Sequence, residues 1–99
     1  NPIISEVGGR IVFKDIEEGV TLTEQVDPVT GFATKVITES KSGDLKPRIT
    51  VVDENGNPKK FPGRDVEVQY VIPVEAQLLV ADGEEITPGQ IVAKIHRET

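Results

Sequence analysis

The stretch Val20-Thr21-Leu22-Thr23-Glu24-Gln25-Val26, Asp27-Pro28-Val29-Thr30-Gly31, Phe32-Ala33-Thr34-Lys35-Val36-Ile37-Thr38-Glu39 decides the fold class. Its first part alternates Val20 and Leu22 with Thr21 and Thr23, the period of two that sends successive side chains to opposite faces of a strand. Asp27-Pro28 and Gly31 then interrupt the run, because proline restrains φ and glycine supplies a positive one. The pattern predicts a strand over 20–26, a turn over 27–31 and a second strand over 32–39.

The rest of the chain has the same character. Of 99 residues, 14 are Val, 10 Ile and 8 Thr, whereas Leu and Ala number 4 each and Met is absent. β-Branched side chains suit a pleated surface and lose rotamer freedom in a helix. Further strands are expected at Ile3 to Glu6, Arg10 to Lys14, Arg48 to Asp53, Val66 to Ile72, Gln77 to Val80 and Ile91 to Ile95. Turn signals separate them at Lys41-Ser42-Gly43-Asp44, Asp53-Glu54-Asn55-Gly56-Asn57-Pro58, Phe61-Pro62-Gly63 and Asp82-Gly83. Eight short strands at this spacing make an all-β sandwich or small barrel. Strand content of at least about 40% and helix under about 10% follow, since propensity, period and turns agree. The expected core is Val12, Leu22, Val36, Val51, Val68, Tyr70, Leu79, Ile86 and Ile95, joined by the other aromatics, Phe13, Phe32 and Phe61. A weak internal echo relates Arg10 to Asp15, followed by Glu17-Glu18, to Gln77 to Asp82, followed by Glu84-Glu85.

Ninety-nine residues suffice for one domain over 1–99 with one core. No apolar run is long enough for a membrane span, and no signal peptide opens the chain. The missing Met and the abrupt end suggest a piece of a longer protein. With no cysteine there are no disulfides, thiolate metal sites or thiol nucleophiles, which suits a cytoplasmic protein. A net charge of -6 opposes tight binding to nucleic acid or anionic membrane.

No catalytic constellation emerges. His96 stands near the end and reads as solvated, while Ser5, Ser40 and Ser42 lie in no strained elbow. Glu17-Glu18 and Glu84-Glu85 read as solvated acidic turns. Asp53 to Asn57 is a poor calcium loop, because Gly56 arrives too early and Arg64 occupies the place of the bidentate glutamate. Gly8-Gly9 is explained by a backbone turn. No catalytic, metal or cofactor residues are assigned, and a monomer is expected for the chain in isolation. One asymmetry stands out. Lys41 to Arg64 carries six basic and three acidic residues, so Arg48, Lys59, Lys60 and Arg64 are the candidates for docking against an acidic protein surface.

Two resemblances add to this. Ala76 to Ile95 resembles the half-repeat of barrel-sandwich hybrid domains such as biotinyl and lipoyl carriers, but Lys59-Lys60, between Pro58 and Phe61, does not reproduce a carrier lysine. More closely, Pro2 to Gly9, Thr30-Gly31, Asp44-Leu45-Lys46-Pro47, Ile49 to Asp53 with Asn55-Gly56-Asn57, and Pro62-Gly63 resemble one family in order. That family is the second sandwich-barrel hybrid module of the lineage-specific insertion in the β′ subunit of bacterial RNA polymerase. The resemblance implies a sandwich-barrel hybrid fold and a place within the trigger loop. It also implies a non-catalytic influence on elongation, pausing and transcript cleavage, with other parts of the polymerase, a nucleotidyltransferase, as partners. The alternatives are a free-standing β interaction module or a carrier domain.

Overall fold

The computed structural model describes residues 1–41 and 43–95, so Ser42 and His96 lie outside the described residues. The described residues contain nine strands and no helix: β1 (Pro2–Ile4), β2 (Gly9–Lys14), β3 (Leu22–Val26), β4 (Ala33–Ile37), β5 (Arg48–Val52), β6 (Gln69–Val71), β7 (Gln77–Leu78), β8 (Glu85–Ile86) and β9 (Ile91–Lys94). They make two antiparallel sheets, β1-β9-β7-β4-β3 and β6-β5-β2-β8. The architecture is all-β, built of short strands, and consistent with a sandwich-barrel hybrid.

The centre is the β2–β5 pair. Ile11 lies opposite Val51 and Phe13 opposite Ile49, and Ile11, Ile49 and Val51 are fully buried. Period-two geometry then turns Arg10, Val12 and Lys14 to the other face, which is why Val12 is only half-buried. From the five-stranded sheet, Leu22, Ile37, Leu78, Val92 and Ala93 join the same core cluster.

Several expectations are corrected. Leu79 is exposed at 38% while Leu78 and Val80 are buried. In an unbroken apolar run no alternation marks the inward face, and pairing of Leu78 with Lys35 and Ala93 decides it. Tyr70 and Ile95 are partly buried and pack against the core edge. Phe32, expected inside, is 73% exposed. Val20 and Thr21 belong to a turn in which the N–H groups of Val20, Thr21 and Leu22 all donate to the Glu17 carbonyl. Val66 to Val68 is loop, closed by Phe61 N–H donating to the Val66 carbonyl at 2.9 Å. β8 was hidden within an apparent acidic turn. With β7 and β8 only two residues each, strand content falls short of expectation.

Gly9 does more than turn the chain. At φ +147° it opens β2, and a Cβ there would stand 2.6 Å from the Val52 carbonyl oxygen and 2.8 Å from Val51 Cγ1. The two echoing segments meet in space. Gly83 N–H donates to the Ile11 carbonyl, Ile11 N–H to the Glu84 carbonyl, and Phe13 N–H to Asp82 Oδ1, each at 2.8 Å.

Candidate docking surface

The four basic candidates have different surroundings. Arg48 opens β5, and its Nη1 donates to Asp15 Oδ2 at 3.1 Å and to the Lys46 carbonyl at 3.0 Å. Asp15, at φ +56°, also accepts the Lys46 N–H at 3.0 Å. That backbone bond, with Arg48 beside it, holds the Asp15 carboxyl below the usual aspartate range. Buried Thr21 braces the turn by donating to the Asp15 carbonyl at 2.7 Å and accepting the Glu17 N–H at 2.9 Å. Arg48 is therefore committed to an internal pair.

Lys59 and Lys60, though adjacent, serve different partners. The Lys59 backbone donates to the Val51 carbonyl and accepts from Val68 N–H, both at 2.8 Å. Its half-buried side chain lines a polar hollow with Gly9, Asp53, Asn55 and Glu85. Asp53 is held low first by the Asn57 N–H and also by Asn55 and the Lys59 charge. Asp53 Oδ1 accepts those two N–H groups at 2.9 and 2.8 Å, so the apparent calcium loop is a side-chain-closed turn. Lys60 forms an exposed ion pair with Asp65.

Arg64 lies over the Phe61 ring at 4.9 Å. Phe61 in turn meets Tyr70 edge to face, at 5.9 Å and 86°, and the Tyr70 hydroxyl accepts the Glu6 N–H at 3.0 Å. This stack ties the Phe61–Val66 loop to the body of the protein. The structure thus brings Lys60, paired with Asp65, and Arg64 onto one ordered loop, pairs Arg48 with Asp15, and sets Lys59 in the hollow that Asp53 also lines.

One carboxylate of each acidic pair acts locally. Glu18 pairs with Lys35, and Glu84 accepts the Ala81 N–H at 3.0 Å and the Gln90 side-chain amide at 3.3 Å. A cleft of about 400 Å³ between the sheets is walled by Phe13, Ile16, Leu22, Leu78 and Val80, with Glu18, Lys35 and Asp82 as its polar lining. The hydrogen bond from Lys35 to Glu18 raises the Lys35 pKa. No three His, Cys, Asp or Glu side chains converge on a metal-sized site among the described residues.

One surface escaped sequence reasoning. The β3–β4 connection exposes Val26 at 64%, Val29 at 90% and Phe32 at 73%. Asp27 orders it: its N–H donates to the Phe32 carbonyl at 2.9 Å, its carbonyl accepts the Gly31 N–H at 2.8 Å, and its Oδ1 accepts the Val29 N–H at 2.8 Å. The available signal was charge, since 15–34 contains five acidic residues and no Lys or Arg.

These features define a small all-β module whose distinctive surfaces are a braced basic loop and an ordered apolar tip. Among known proteins, the chain is 59% identical over 98 residues to DNA-directed RNA polymerase subunit beta′ of Bdellovibrio bacteriovorus. The match takes in 99% of this chain and 7% of that protein, so the chain is homologous to one segment of the subunit. No known family profile matches the chain.

Proposed function

We propose that the chain is a non-catalytic module of a bacterial RNA polymerase β′ subunit, inserted in the trigger loop, that tunes elongation, pausing and transcript cleavage in the cytoplasm. The observation that carries this reading is the 59% identity with a β′ segment along almost the whole chain. The engagement of Glu18 in an ion pair and of Glu84 in a turn fits a modulator. A module attached to a loop that folds and unfolds shifts that equilibrium only through contacts that differ between the two states. Of the basic residues proposed for docking, Lys60 and Arg64 are the exposed pair on a braced loop, while Arg48 and Lys59 position the strands behind them.

The test is single-nucleotide addition and pausing by a reconstituted polymerase with and without this segment. Phosphodiester formation should survive, because the groups that stabilise phosphoryl transfer lie elsewhere in this reading. Pause lifetimes should change, and a contact difference of about 1.4 kcal/mol would alter the loop equilibrium tenfold. Loss of the chemical step in a normally assembled enzyme would overturn the reading.

A further inference from the structure

We infer that the β3–β4 tip is a plug that inserts end-on into an apolar, basic-rimmed pocket on another part of the same β′ chain. The inference rests on the proposed place of this segment in that subunit and names a contact that the reading leaves open.

Three features support it. The tip is apolar on both sides. Val26 pairs with Ala33, and the next level is closed by Asp27 and Phe32. Val26 and Phe32 therefore project from opposite faces of the ribbon, with Val29 at its end. Such a shape fits a recess better than a flat surface. The tip is also ordered without a partner, because the Asp27 carboxylate and the Phe32 and Gly31 backbone bonds set its conformation in advance. Little ordering cost remains on docking. Finally, the hairpin is acidic: Glu17, Glu18, Glu24 and Asp27 outnumber Lys35 over 16–35, while Asp15 is already paired with Arg48. Lys35 pairs with Glu18 and lies 3.9 Å from Glu24. The partner that complements such a tip is apolar at its centre and cationic at its rim. A phosphate backbone is repelled by the same charge.

The occupant is assigned to the same chain because the matched segment is only 7% of its β′ relative. Most of the subunit lies outside these residues, tethered at high effective concentration.

The experiment places a photoreactive benzoylphenylalanine at Val29, and as a control at exposed Asn55, in assembled polymerase carrying this segment. The expected result is an intrachain crosslink from position 29 to a distant β′ peptide with nearby Lys or Arg. The Asn55 control should give no comparable product. Phe32→Ser should lower the yield by about tenfold or more, the scale of losing one aromatic anchor. Crosslinking to nucleic acid, to a second polymerase copy or to another subunit would overturn the inference, as would a yield at position 29 no higher than the control. Pausing assays on the same polymerase keep the two ideas separable. Altered pausing on removal of the segment without a position-29 crosslink defeats the plug and leaves the modulator reading standing.

Discussion

The β2–β5 pair and the β3–β4 tip are both antiparallel ribbons rich in Val and Ile or Thr, yet they end in opposite environments. In the first, Ile11, Ile49 and Val51 are fully buried, with β6 and β8 covering the two edges of the pair. In the second, β3 is the outer strand of its sheet, and the last residues of the ribbon extend past the core. The same strand chemistry therefore contributes stability in one place and a recognition surface in the other. The neighbour of the ribbon decides which.

The largest test of that contrast is Ile49→Ala, which removes most of a fully buried side chain. A loss of about 2–5 kcal/mol is expected from denaturant unfolding, and a loss below about 1 kcal/mol would show that the central pair is not close-packed. Gly9→Ala follows. It forces a side chain into a positive φ and against the Val52 carbonyl, at a cost of about 1–3 kcal/mol. An unchanged midpoint would mean that the strand opening relaxes freely.

Acid sharpens the comparison through the turn that joins the two regions. Asp15 and Asp53 have lowered pKa values in the fold, so the unfolded chain binds more protons as pH falls. Their contribution is present above the ordinary value near 3.8 and is lost as pH drops through the lowered values. Stability measured against pH should therefore fall on the acid side, and Asp15→Asn should flatten that limb while leaving Asp53 to titrate. An identical acid limb in the variant would refute the Asp15 assignment. The smallest effect belongs to the tip: Phe32→Ser should change unfolding stability by no more than about 0.5 kcal/mol, as for an exposed site. A loss as large as that of Ile49→Ala would place Phe32 in the core and remove the contrast.

Much of the architecture is legible in the order of residues. β-Branched runs broken by Asp27-Pro28, Gly56, Gly63 and Gly83 locate eight of the nine strands to within a few residues, because propensity and turn chemistry are local. The resemblance to a β′ module is legible for the same reason, being carried by short stretches of strand and turn such as Pro2 to Gly9, Ile49 to Asp53 and Pro62-Gly63 in a fixed order. The basic segment is visible too, but the division of labour within it is not.

That Arg48 serves Asp15, that Tyr70 receives the Glu6 N–H and that Asp82 receives the Phe13 N–H are facts joining residues 33, 64 and 69 positions apart. Which of Leu78 and Leu79 faces inward, and whether Phe32 is core or surface, likewise waits on which strands become neighbours. Local sequence specifies what a ribbon is made of. Only the packing of one sheet on the other determines which face loses its water, and that non-local burial separates the anchor residues of this protein from its exposed tip.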